Sequence, residues 1–211
     1  MHQHNRSRII ALVALLGCCW GIIEIQLGTL LHALSIPFCG ALLTGMAVIL
    51  LCIGRYFIGI RGSVLTIGLT SAFLKMLFVG SIAFNPVIAI LLESIIVELV
   101  LLSSAPSRIH YMTAGAVTVG SMFFFPFLSQ GILGGMKIIE VYYQYLVKSV
   151  QLIGFEKQNA IFILLGVLIL HVCFGLFVGI ISSLVISMVE KRLKMQNSYF
   201  TRQRYELKTD D

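Results

Sequence analysis

The first long apolar run, residues 9–31, places the strongest constraint on this chain, because it is long enough to cross a bilayer and yet contains an acid. On a helix of about 100° per residue, Glu24 lies on the same face as Gly17, Gly21 and Gly28. Small residues at this spacing allow a neighbouring helix to approach closely. An ionisable side chain at membrane depth indicates a functional site with a charged partner.

The composition extends this interpretation to the whole chain. Of 211 residues, 58% are hydrophobic and only 11% are charged, with a mean hydropathy of +0.98, unlike any ordinary soluble domain. We therefore predict an all-α integral membrane protein, a single membrane domain over 1–211 without a separate soluble domain. Six transmembrane helices are predicted, over residues 9–31, 36–53, 63–83, 86–104, 112–133 and 160–189.

The distribution of lysine and arginine predicts the orientation. Eleven of these residues fall on the side of the two termini, three fall on the other side, and Lys75 lies within a span. By the positive-inside rule both termini are expected in the cytoplasm, with tails over 1–8 and 190–211 and a six-helix bundle over 9–189. The same distribution favours orientation in the membrane over nucleic-acid binding.

The connection between the fifth and sixth spans differs from the others. Charged and apolar residues alternate over 134–158, which predicts an external amphipathic segment or lid rather than a span. Pro126 is expected to kink or unwind the fifth span. The amino-terminal residues 1–8 are expected to form a disordered tail, although His2 and His4 leave open a transition-metal site there.

Three charged side chains are predicted to meet within the membrane. From a rise of about 1.5 Å per residue, Glu24 lies roughly 22 Å, Lys75 roughly 18 Å and Glu93 about 20 Å from the cytoplasmic edge. Isolated charges at that depth cost several kcal/mol each, so Lys75 is expected between the two acids in a partly hydrated pocket open to the outside. An ion-pair network that only fixes helix register is the alternative.

Other polar residues fall around this level or outside it. Gln26, His32 and Asn85 are predicted at the outer rim of the pocket. Glu98 lies lower and about 140° around its helix from Glu93, so it is not expected to share the site. His171 is interpreted as a satisfied interior histidine.

No catalytic motif accompanies these charges. HExxH, a GxSxG elbow and a Walker-type phosphate loop are all missing from the sequence, so no enzyme activity and no cofactor is predicted. The five cysteines lie within apolar runs without a CxxC pair, and neither a zinc site nor a disulfide framework is indicated.

In length, span number, orientation and outward polar site, the chain resembles the S components of energy-coupling factor (ECF) transporters, which bind vitamins in prokaryotic cell membranes. The resemblance is architectural and covers nearly the whole chain. It implies capture of a small water-soluble nutrient, with a transmembrane coupling subunit and cytoplasmic ATPases as partners. In that family a small-residue motif of the first span docks on the coupling subunit, and the corresponding residues here are Ala14, Gly17 and Gly21.

The excess of acids over Lys75 favours a cationic or zwitterionic ligand, such as a thiamine-like ring or an amine. Two other functions stay open at this point. One is a stand-alone secondary permease in which Glu93 or Glu98 carries protons, and the other is a membrane scaffold protein whose charges only pair helices.

Overall fold

The computed structural model describes residues 2–34, 38–79, 84–103, 106–134, 140 and 160–209, and six α-helices form nearly all of this part of the chain. No strand occurs among these residues. The helices are α1 (His2–Ala33), α2 (Cys39–Ile58), α3 (Ser63–Val79), α4 (Phe84–Val100), α5 (Arg108–Gly134) and α6 (Ala160–Thr209).

Three helical stretches are long and apolar enough to cross a membrane, namely Arg6–Leu31, Cys39–Ile58 and Leu164–Gln196. A shorter apolar stretch covers Ser63–Phe78. The prediction of an all-helical chain with the apolar helices of a membrane protein is therefore confirmed. The number of crossings stays a prediction.

Successive helices alternate in direction, so that α1, α3 and α5 run one way and α2, α4 and α6 run the other. This alternation gathers Arg55, Arg61 and Arg108 at one end of the bundle, termed the basic end. The contacts that fix the directions are Gly17–Thr70 and Gly21–Leu74 for α1 with α3, Gly62–Glu98 and Gly68–Ser94 for α3 with α4, Thr44–Glu93 and Arg55–Ser103 for α2 with α4, and Gly115–Gly175 and Gly120–Val172 for α5 with α6.

Helix α2 forms the centre of the bundle, because it packs against every other helix. The remaining helices follow one another around it in the order α1, α3, α4, α5 and α6. Over the described residues α6 makes no contact with α1, so the arc stays open between them. Leu51, Ala47 and Val48 of α2 are fully buried as a result.

The outward faces carry large apolar side chains, and the interior holds charged and polar side chains among the apolar ones. Phe73, Phe78, Phe162 and Leu170 are each more than 60% exposed. Soluble monomers rarely expose apolar surface on this scale. The distribution is the one expected when lipid, not water, surrounds the bundle.

Glycines allow the closest helix contact of the bundle, between α5 and α6. A methyl group at Gly175 would overlap the Gly115 carbonyl oxygen and would lie 2.8 Å from the Ala116 Cα. A methyl group at Gly179, one turn further, would lie 2.5 Å from the Met112 Cα. The GxxxG pair Gly175 and Gly179 therefore joins two helices of this chain.

The helix ends differ from those expected at several places. Helix α1 begins at His2, so the expected disordered tail over 1–8 is wrong: this segment continues the first helix. Helix α5 continues through Pro126 to Gly134 instead of unwinding there. The amphipathic segment predicted over 134–158 lies almost entirely outside the described residues.

Candidate functional site

An ion pair joins α1 to α3 in the bundle interior. Lys75 Nζ lies 2.6 Å from Glu24 Oε2, and both residues are only 7% exposed. Because α1 and α3 are parallel, residues at similar distances from the basic end become neighbours. The pairing expected from depth is therefore present in the structure, and removal of either partner would leave a buried charge unpaired.

A second carboxylate, Glu93 of α4, lies near this pair and is bound differently. Its Oε1 atom lies 2.6 Å from Thr44 Oγ1 on α2, whereas its Oε2 atom is buried with no hydrogen-bond partner among the described residues. Glu93 is 3% exposed. Buried polar atoms are nearly always hydrogen-bonded, so this oxygen is an unusual feature of the bundle.

The direction of each helix explains how Glu93 approaches the pair. Gly68 of α3 packs on Ser94, and continuing this antiparallel register puts Glu93 about six residues, or about 9 Å, nearer the basic end than Lys75. Helical side chains tilt toward the N-terminus of their own helix. Lys75 therefore tilts toward the basic end and Glu93 away from it, and the charges of Glu24 and Lys75 act on the Glu93 carboxyl.

Two more polar atoms, which have no hydrogen-bond partner in the described part of the chain, lie one helical turn toward the basic end. Trp20 Nε1 precedes Glu24 by four residues on α1, and Ser71 Oγ precedes Lys75 by four residues on α3. Both residues are fully buried. The interior between α1, α3 and α4 thus contains a layer of unpaired hydrogen-bonding groups beneath the ion pair.

The three rim residues have different positions. Gln26 is exposed, because a residue two positions after Glu24 lies about 200° around the helix, so the structure does not bring it to the charges. Asn85 lies in the first turn of α4, where its Oδ1 atom is buried and has no partner among the residues that the structure describes. His32 belongs to α1, and its side chain is not among the described ones.

Glu98 belongs to a separate cluster at the basic end, as its rotation on α4 indicates. It accepts hydrogen bonds from the backbone N–H groups of Gly62 at 2.7 Å, Val64 at 2.9 Å and Leu65 at 3.4 Å. These groups are the unpaired donors at the start of α3, and a carboxylate there also complements the helix dipole. Arg55 Nη1 lies 4.0 Å away and completes the charge balance.

The small-residue face of α1 packs inside the chain. A methyl group at Gly17 would lie 2.5 Å from Thr70 Cβ, and one at Gly21 would lie 2.7 Å from Leu74 Cδ2. Helix α3 therefore covers the two glycines that were expected to receive a coupling subunit. Of the three predicted docking residues only Ala14 is exposed.

His171 of α6 lies between two aromatic rings, Phe38 at a centroid distance of 5.5 Å and Phe123 at 5.9 Å. Its Nδ1 atom lies 2.8 Å from the carbonyl oxygen of Val167 in its own helix. Since a carbonyl only accepts, Nδ1 carries the proton. These contacts agree with an interior histidine that already has its partners.

Sequence reasoning did not identify Thr44. A threonine in an apolar run gives a weak signal, because its hydroxyl commonly bonds the carbonyl one turn earlier, as it does here to Gly40 at 2.9 Å. Its position between Gly40 and Gly45 was the one feature of the sequence that could have indicated Thr44 as a site residue. The rotation of α2 that directs it toward Glu93 is a tertiary property.

A scan against protein-family models finds no matching family, and searches among curated proteins and among solved structures find no match either. The resemblance to S components accordingly stays a prediction. The residues that bear on a function are therefore the ion pair of Glu24 with Lys75 and the neighbouring hydrogen bond between Thr44 and Glu93.

Proposed function

We propose that this chain is a membrane-embedded substrate-binding subunit for the uptake of a small, water-soluble, cationic or zwitterionic nutrient. The observation that carries the proposal is the buried Glu93 carboxyl, which among the described residues has one oxygen without a donor, near an ion pair in which Lys75 is already bound to Glu24. A ligand with a positively charged N–H group would supply both the charge and the missing hydrogen bond.

In this proposal all six helices cross the cytoplasmic membrane of a prokaryotic cell, with both termini inside. The alternating helix directions support it, because they gather Arg55, Arg61 and Arg108 at one end. Over their described residues, helices α3 and α4 each extend about 26 Å, which is most of a hydrocarbon core of about 30 Å.

The charge of the cluster favours a cation over an anion. With every group ionised, Glu24, Glu93 and Lys75 carry one net negative charge in an apolar surrounding. An anionic ligand would raise that charge, and the free donors that the described part of this interior offers are Trp20 Nε1 and Ser71 Oγ. Energy for transport would come from separate ATPase and coupling subunits, for which α1 offers its exposed face around Ala14.

The direct test is a ligand screen on the purified full-length protein in detergent. Thermal-shift and equilibrium-binding measurements would compare thiamine, pyridoxamine and choline with the anions biotin and pantothenate. We expect at least one cation to bind and to raise the melting temperature, and neither anion to do so.

Two variants connect the binding to the site. Glu93→Gln removes the charge with little change of shape and is expected to weaken binding at least about tenfold, which corresponds to about 1.4 kcal/mol. Glu190→Gln is the matched control, because Glu190 lies partly exposed at the basic end of α6, where it pairs with Lys194 and Tyr56 and not with the Glu93 cluster. Equal affinity in both variants, or tight binding of an anion, would exclude Glu93 as the anchor.

A proton-coupled secondary permease is the second candidate, and the same unpaired oxygen of Glu93 favours it. Glu98, the other acid considered for that role, is held by three backbone N–H groups and is better explained as a cap of α3. Uptake of a binding cation into vesicles that contain this protein alone, driven by a proton gradient, would select the permease. Uptake that requires added ATPase subunits would select the first proposal.

A further inference from the structure

The hydroxyl group of Thr44 lies within hydrogen-bonding distance of two oxygens, the carbonyl oxygen of Gly40 in its own helix and a carboxyl oxygen of Glu93. Its Oγ1 atom is 2.9 Å from the Gly40 carbonyl oxygen and 2.6 Å from Glu93 Oε1. A hydroxyl has one proton to donate, and a carbonyl oxygen or an ionised carboxylate can only accept. With Glu93 ionised, one of these two contacts would therefore lack a hydrogen.

A proton on Glu93 Oε1 completes this chain. Glu93 then donates to Thr44 Oγ1, and Thr44 donates to the Gly40 carbonyl oxygen, so each short contact contains one hydrogen. The buried Oε2 atom, which has no donor, then belongs to a neutral acid instead of a carboxylate. Leaving a neutral carbonyl-type oxygen unpaired costs far less than leaving a charged one unpaired.

The charge count leads to the same state. Lys75 is bound to Glu24 at 2.6 Å and neutralises one of the two acids. A proton on Glu93 neutralises the other, so that the cluster has no net charge within the bundle. We propose that Glu93 holds a proton on Oε1 in the ligand-free protein and releases it when a cationic ligand binds at Oε2.

The charged groups on the neighbouring helices are consistent with this assignment. The carboxylate of Glu24 on α1 disfavours a second negative charge on Glu93, and Lys75 on α3 is already bound to Glu24. Helix α2 contributes only the neutral Thr44 at this level. Helix α5 also packs on α4, but its Tyr111 lies at the basic end.

The exchange balances in atoms and charge. The O–H bond of Glu93 breaks, the proton passes to water on the side from which the ligand enters, and the carboxylate pairs with the ligand cation. Ligand entry and proton release leave the cluster neutral before and after binding. The release of the proton on ligand binding thus rests on the proposed function, whereas the presence of the proton on Glu93 in the ligand-free protein does not.

The test is infrared difference spectroscopy of the full-length protein without any ligand. A protonated carboxylic acid has a C=O stretch distinct from that of a carboxylate, and we expect one such band that disappears as the pH is raised. The band should vanish in Glu93→Gln and persist in Glu190→Gln. In Thr44→Val it should persist at a higher frequency, because the acid loses its hydrogen-bond acceptor.

Three results would overturn the proposal: no acid band in the wild-type protein, a band unchanged in Glu93→Gln, or a band unmoved in Thr44→Val. If Glu93→Gln does not fold, the wild-type chain is measured instead with glutamate labelled with ¹³C at the side-chain carboxyl. The acid C=O band must then shift relative to that of the unlabelled protein. A Glu93 band in a protein that binds none of the screened cations would refute the proposed function while the proton assignment stands. Binding of a cation without proton release would refute the exchange alone.

Discussion

A double-mutant cycle on Glu24 and Lys75 tests whether their contact stabilises the bundle. In Lys75→Met, the buried carboxylate of Glu24 loses its partner and remains close to Glu93, and breaking such a pair costs about 3–5 kcal/mol. In Glu24→Gln, Glu93 can lose its proton and become the counter-ion of Lys75, so the loss is that of one strong hydrogen bond, about 1–3 kcal/mol.

The double variant separates a real contact from two independent effects. Independent losses would add to at least about 4 kcal/mol. Because Glu24→Gln with Lys75→Met leaves no unpaired charge at the pair, we expect less than about 2 kcal/mol in total, since apolar replacement of a buried pair is often close to neutral. The coupling energy is therefore expected to exceed about 2 kcal/mol.

Trp20 provides the reporter for this measurement. It is the only tryptophan, it is fully buried, and it lies one helical turn from Glu24. Its fluorescence during dodecyl sulfate titration in mixed micelles reports unfolding of α1 from α3. Additive losses in the double variant would show that the observed 2.6 Å contact does not couple the residues and would refute the reasoning. Wild-type ligand binding by that double variant would favour a purely structural pair.

Two further predictions concern helix ends and helix contacts. Glu98→Gln is expected to lower the free energy of unfolding by about 1–3 kcal/mol in the same titration, because a neutral amide accepts the backbone hydrogen bonds of Val64 and its neighbours less strongly than a carboxylate does. No loss would mean that this cap of α3 is unimportant. Gly175→Ala should destabilise the protein by about 1–3 kcal/mol, because its methyl group would overlap the backbone at Gly115, whereas Gly166→Ala meets nothing within 4 Å and serves as control. Equal melting temperatures for the two alanine variants would contradict the close α5–α6 contact.

Depth along a helix predicts the Glu24–Lys75 pair correctly, but it places Glu93 level with Lys75, whereas the structure puts Glu93 about 9 Å nearer the basic end. Contacts that depend on helix rotation could not be predicted. Glu24 and Lys75 meet because their helices are parallel and their depths match, and both properties are readable from the apolar runs. The partner of Glu93 depends on how α2 is turned about its own axis, which no apolar pattern specifies once a helix contacts neighbours all round. Thr44 was therefore found only in the structure.

The glycine face of α1 shows a second limit of prediction from the sequence. The spacing of Gly17 and Gly21 correctly indicates that a helix approaches closely, because only small residues permit that contact. The pattern does not say whether the approaching helix belongs to the same chain. Helix α3 occupies the position, and the surface left for a partner carries Ala14 in place of the glycines.

The length of α6 has a mechanical consequence. At about 1.5 Å per residue its 50 residues extend about 75 Å, and the part after Glu190 reaches about 28 Å past the end of α2. Since this part continues one unbroken rod, a tilt of about 10° at the glycine crossing would swing its tip through roughly 8 Å. A small tilt of α6 inside the bundle would therefore move the end of this helix by a larger distance, and a spin label near that end would detect the movement.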